Sequence, residues 1–138
     1  MNQNLTAIAG AVAMILTTAA MAGPREDLLA QYATSAKAAA TGFSGFSAAR
    51  GKAFHSQTFA GGKPDTPACT SCHGNDPRTP GRALTGKTIE PMAASVSASR
   101  YTDPAKVEKW FKRNCNEVLG RECTPQEKGD WLTYMSGQ

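Results

Sequence analysis

From Pro24 onward, apolar positions recur at helical spacing. Leu28, Leu29, Tyr32, Ala33 and Ala36 fall on successive turns, with Pro24 at the start and Gly42 at the end. A turn of Gly, Phe and Ser residues, 41–47, leads into a second predicted helix, Ala48 to about Gln57, with Gly51 and Phe54 one turn apart. Gly61-Gly62-Lys63-Pro64 reads as a loop. Residues 74–99 show little periodicity and are rich in Gly, Pro, Thr and Ser. So long an irregular stretch in a small domain needs some further surface to pack against. Asp103-Pro104 is an N-cap followed by proline at the first helical position, and that helix is predicted to run to about Asn114. Thr124-Pro125-Gln126-Glu127 is a capping box, and it opens a last helix carrying Trp131, Leu132 and Met135. There is no strand pattern and no internal repeat, so the expected class is all-α.

The N-terminus has a different pattern. Residues 7–20 are almost wholly small or apolar, and Ala20-Met21-Ala22 matches a small-x-small cleavage site. The stretch is too short for a comfortable membrane span. Residues 1–22 are therefore read as a signal peptide rather than an anchor, although no Lys or Arg precedes the apolar run. The expected mature protein is one domain, 23–138, exported to the periplasm and without a membrane helix. The 138-residue chain carries 15 Lys and Arg against 11 Asp and Glu, a net charge of +4. All of these charges follow residue 22. This mild excess reads as a solvated surface, or as a docking face for an acidic redox partner. Basic residues do not cluster with aromatics on one element, so nucleic acid is not indicated.

An exported chain should account for all of its cysteines. Of the four, Cys69 and Cys72 belong to the string Cys69-Thr70-Ser71-Cys72-His73. Two thiols three positions apart on a helical turn can each add to a vinyl group of one porphyrin. The next residue, His73, then supplies an imidazole to the iron. The string points to one covalent haem c, and the haem would give the irregular stretch its packing surface. A thioredoxin-like pair would need a βαβ setting, and a zinc knuckle would need a second close pair; neither is seen. Cys115 and Cys123 are left to form one disulfide.

Function then turns on the ligand opposite His73. A strong sixth ligand makes an electron carrier, whereas a weak one makes a binding or reactive site. Met92, His55, Met135 and Asn114 are the candidates. Met92 follows Pro91 and lies 19 residues after His73, and the alternative for it is a core filler. His55 is expected to be exposed or capping, and Met135 to pack the last helix. Val107, Trp110, Phe111 and Asn114 fall at i, i+3, i+4 and i+7, which points the Asn114 amide towards the core. A buried amide needs a partner, and iron is one possibility; a helix C-cap is the other.

At this point the sequence resembles a known family. Arg113-Asn114-Cys115-Asn116, Gly120-Arg121-Glu122-Cys123-Thr124-Pro125, the run from Tyr101 to Trp110, and Gly62-Lys63-Pro64-Asp65-Thr66-Pro67 are similar to the sphaeroides haem proteins. The resemblance spans about 49–138. It implies a small class I cytochrome c-like fold with an extra N-terminal helix. It also implies histidine and asparagine as iron ligands, the asparagine directly preceding the first bridge cysteine. On this chain these are His73 and Asn114, with the bridge Cys115–Cys123. The related cytochrome c double-prime uses histidine where this chain has asparagine, so the chain sorts with the oxygen-binding branch. The implied behaviour is an Asn114 ligand that leaves on reduction and admits O2, NO or CO. Trp110 and Phe111 are candidate pocket walls, with core packing as the alternative. The implied redox partners are a dihaem cytochrome c or a membrane b-type cytochrome. Two other readings are a plain shuttle with permanent His/Met ligation and an oxygen- or nitric-oxide-converting enzyme. No general acid or base in the sequence marks itself as catalytic.

Overall fold

The computed structural model describes residues 23–138; the expected signal peptide, 1–22, lies outside the described residues. Five helices run in the order α1 (Pro24–Ala39), α2 (Ala48–Ser56), α3 (Thr70–His73), α4 (Pro104–Leu119) and α5 (Pro125–Ser136). Between α3 and α4 lies a two-stranded antiparallel ladder, β1 (Gly81–Arg82) and β2 (Thr88–Ile89). At two residues per strand the ladder is too short to leave an alternating pattern, which is why the sequence does not announce it.

Local signals start the helices where expected. Pro24 opens α1, Glu26 and Asp27 sit in its first turn, and Leu28, Tyr32 and Ala36 are buried one turn apart. The helix stops at Ala39 rather than Gly42, because Ala40 is already extended. In α2, the Ser47 side chain accepts from the Arg50 N–H, and Gly51, Phe54 and His55 are buried. The Thr124 hydroxyl accepts from the Glu127 N–H at 3.2 Å, and the Glu127 carboxylate accepts from the Thr124 N–H at 2.8 Å. These reciprocal bonds close the expected capping box on α5.

Helix α4 runs five residues beyond the expected end at Asn114. Nothing in Cys115–Leu119 breaks it, and Val118 and Leu119 are buried against the core. Gly120 ends it at φ +73, a left-handed position, with the Gly61 carbonyl so close that a Cβ there would collide with it.

The core lies where α1, α4 and α5 meet. Tyr32, Phe111 and Trp131 stack edge to face within it, and Leu132 and Met135 are fully buried. Helix α2 reaches α5 at Gly51, where a Cβ would meet the Asp130 carbonyl. The buried Asp130 carboxylate pins this crossing. It accepts from the Ser47 N–H and Arg50 Nε at 2.7 Å and from Arg50 Nη2 at 2.9 Å.

Candidate haem-binding site

Helix α3 is a single turn. The His73 N–H donates to the Cys69 carbonyl at 3.1 Å, and the Gly74 N–H to the Thr70 carbonyl at 3.0 Å. Gly74, at φ +68, then ends it. The turn brings Cys69, Cys72 and His73 onto one short element, with both thiols free. Burial pushes Cys69 up to about 11. It raises Cys72 as well, with a further push from the negative charge of Glu117. Burial lowers His73 to about 4, helped by its coupling to the nearby His55 and by the positive charge of Arg100. The imidazole is therefore neutral at pH 7, the form that ligates a metal. Its buried Nδ1 has no hydrogen-bond partner among the described residues.

Strand β1 presses on this turn from the side. A Cβ on Gly81 would meet the Cys72 carbonyl at 2.3 Å, so only glycine fits there. The Leu84 backbone contacts the Cys72 thiol, while the Leu84 side chain is 62% exposed. Val96 (52%) and Trp110 (45%) are likewise large apolar residues left open. An exposed leucine beside two thiols and a neutral imidazole fits a flat apolar prosthetic group. The residues present suit a covalent haem in donor chemistry and in lining.

His55 corrects the sequence reading. It is neither exposed nor capping: it is 2% exposed, and its ring centroid is 6.4 Å from that of His73. Its Nδ1 accepts from the Trp131 indole N–H at 3.2 Å, and its Nε2 donates to the Gly74 carbonyl at 3.1 Å. The legible signal was the four-residue spacing from Gly51, which sets His55 on the same buried face. Arg100 was also missed. Its guanidinium donates to the Pro91 and Glu90 carbonyls at 2.5 and 2.6 Å and fixes the segment before Met92.

The four-residue face read on α4 divides in two. Val107, Phe111, Cys115 and Val118 form the buried stripe, whereas Trp110 is exposed and Asn114 half-buried at its edge. Phe111 therefore packs the core, against Tyr32 and Trp131, while Trp110 sits one turn before Asn114 on the open side. Asn114 precedes Glu117 by one turn, and the charge of Glu117 reaches Cys72. Cys115 and Cys123 are joined by a disulfide with Cα atoms 5.5 Å apart. Met92 belongs to the core cluster, and Met135 packs α5 into the same core.

A family model described as a domain of unknown function, DUF1924, matches residues 41–135. The cytochrome c-type protein SHP of Cereibacter sphaeroides is 45% identical over 131 residues, covering 90% of this chain and 97% of that one. The chain belongs to the SHP family of c-type cytochromes. A solved structure of oxidised SHP, described as an oxygen binding cytochrome c, superposes with a TM-score of 0.77 at 46% identity. That match covers 84% of this chain and 97% of the other. The solution structure of cytochrome c'' from Methylophilus methylotrophus, described in terms of haem-ligand detachment, gives a TM-score of 0.69 at 37% identity. It covers 80% of this chain and 90% of that one. The SHP-family chain thus carries one covalent haem c on a small, mostly helical cytochrome c fold with an extra N-terminal helix and one disulfide.

Proposed function

We propose that this chain is a periplasmic monohaem cytochrome whose sixth iron ligand is the labile amide of Asn114. In this reading Cys69 and Cys72 would hold the haem through thioether bonds, and the His73 imidazole would be its permanent protein ligand. The haem supplies a one-electron couple and one further coordination position on iron.

The observation that carries the reading is Asn114 itself. Asn114 is half-buried at the edge of the α4 stripe, one turn after the exposed Trp110. The next residue is locked to Cys123, so the backbone that aims the amide is fixed. An amide oxygen is a hard, neutral donor and suits ferric iron better than ferrous iron. Asn114 would therefore hold the oxidised centre and release it on reduction, and the haem would then supply a coordination position for O2, NO or CO. Once free, its N–H2 group would be a hydrogen-bond donor for that gas, with Trp110 as a wall. The oxygen binding described for SHP and the ligand detachment described for cytochrome c'' support this reading.

A permanent Met92 ligand is less favoured. Its N–H donates to the Pro77 carbonyl at 2.8 Å, and its carbonyl accepts from the Tyr101 hydroxyl at 2.6 Å. These bonds hold its segment in the core. Electrons are proposed to come from a dihaem cytochrome c or a membrane b-type cytochrome. Lys106, Lys109 and Arg113 stand exposed on α4 around Trp110 and offer such a partner a basic face. Periplasmic location follows from the export signal read in 1–22.

Replacing Asn114 with Ala tests the assignment. The ferric optical spectrum should lose its six-coordinate form while the haem stays attached. An unchanged ferric spectrum would remove Asn114 from the iron.

A further inference from the structure

We propose that a file of packed aromatic rings carries oxidising equivalents from the haem ligand His73 to Tyr32, where they rest as a neutral phenoxyl radical. The proposal builds on the opened iron position argued above. An iron that meets oxygen with an electron to spare makes partly reduced oxygen, and hydrogen peroxide is the oxidant taken here.

The file is continuous. Ring centroids are 6.4 Å apart for His73 and His55, 6.2 Å for His55 and Trp131, 5.4 Å for Trp131 and Phe111, and 6.1 Å for Phe111 and Tyr32. Every one of these rings touches the next at packing distance. His55, Trp131, Phe111 and Tyr32 are all buried, so water does not interrupt the route. Indole and phenol give up an electron far more readily than imidazole or benzene. Trp131 and Tyr32 are therefore the stations, and His55 and Phe111 the bridges between them.

Tyr32 is also the station equipped to keep the charge. A phenol loses an electron at accessible potential only when a base takes its proton. The Tyr32 hydroxyl donates to the Glu108 carboxylate, whose other oxygen is held by Lys128 Nζ at 2.7 Å. Tyr101 packs against Trp131 at 5.9 Å, yet its hydroxyl donates to the Met92 carbonyl, which is no base. The Lys128 ammonium lies 5.7 Å from the centroid of the Tyr32 ring and 5.8 Å from that of Phe111. It opposes a lasting cation on either ring and favours the neutral radical.

The step balances as follows. Hydrogen peroxide becomes two waters by taking two electrons and two protons. The iron supplies one electron. Trp131 supplies the other through His55 and His73 and recovers it from Tyr32. The Tyr32 O–H bond breaks, its electron refills Trp131 and its proton moves to Glu108, so the polypeptide loses one electron and keeps that proton, and the two protons for the waters come from solvent. The oxidising power then lies on α1, and Glu108 and Lys128 lead from it to solvent.

Mixing the reduced haem protein with hydrogen peroxide, freezing the mixture and recording its EPR spectrum tests this. A radical signal should appear that collapses in form when the tyrosines carry ring deuterium. It should be lost in Tyr32→Phe, which keeps the ring and removes only the hydroxyl. It should also be lost in Trp131→Phe, with haem bands that still respond to peroxide. A haem response with no protein radical, or a radical that survives Tyr32→Phe, overturns the path and leaves gas binding standing. Haem bands unmoved by peroxide overturn it too. Carbon monoxide added to the same reduced sample then shows whether the gas-binding reading falls as well.

Discussion

The indole nitrogen of Trp131 only donates, so its 3.2 Å bond to His55 fixes Nδ1 as the bare nitrogen of that ring. The proton sits on Nε2 and is given to the Gly74 carbonyl, next to the haem-ligand position. A second proton on His55 would break the Trp131 bond and place a charge in a sealed site. Burial accordingly pushes the His55 pKa below the ordinary histidine value. The unfolded chain takes up that proton near pH ~6.5, where the folded chain still refuses it. The stability contributed by neutral His55 is therefore present above that pH and is lost as the pH falls below it. Urea titrations from pH 7 to pH 5 should show a shallower loss of stability in His55→Gln than in the unchanged protein. Equal slopes would mean that His55 titrates alike in both states.

At the scale of elements, α4 and its disulfide set the candidate site. The bridge spans a sequence separation of 8 and clamps the C-terminal part of α4 to the segment that opens α5. By chain entropy alone such a loop stabilises the fold by about 2.5 kcal/mol. Replacing both Cys115 and Cys123 with Ser should lower the unfolding free energy by about that amount, and it should weaken the hold of Asn114 on ferric iron. Stability and ferric spectrum both unchanged would show the bridge to be idle. The helix starts were legible in the sequence because each rests on a local bond: Ser47, Asp103 and Thr124 each accept from a backbone N–H three residues on. The end of α4 was not legible, because Cys115–Leu119 is held by tertiary burial and by the approach of Gly61 to Gly120. The α4 face was half legible. Its buried stripe follows from spacing, but spacing alone did not separate Trp110 and Asn114, at the stripe's edge, from Phe111 within it. His55 was misread because a titrating side chain near a helix end is usually wet. Its burial depends on Trp131, 76 residues away.

Across the whole molecule, charge and apolar surface converge on one side of α4. Each acid of that helix has an ion-pair partner elsewhere, Glu108 with Lys128 and Glu117 with Lys63. Lys106, Lys109 and Arg113 have no such partner among the described residues. The exposed Trp110 and half-buried Asn114 lie among them, and Glu117 of the same helix reaches towards Cys72. The string from Cys69 to His73 was legible from end to end because covalent haem attachment demands that spacing. The surrounding cradle of Gly81, Leu84 and Arg100 was not, because it is assembled from a stretch with no periodic pattern. The central claim is that one amide releases the iron when an electron arrives. Adding carbon monoxide to the purified protein, first oxidised and then reduced, while recording its optical spectrum tests this most directly. The expected result is no change in the oxidised protein and an immediate shift of the haem bands in the reduced one. Reduced bands that remain six-coordinate and indifferent to the gas would contradict it.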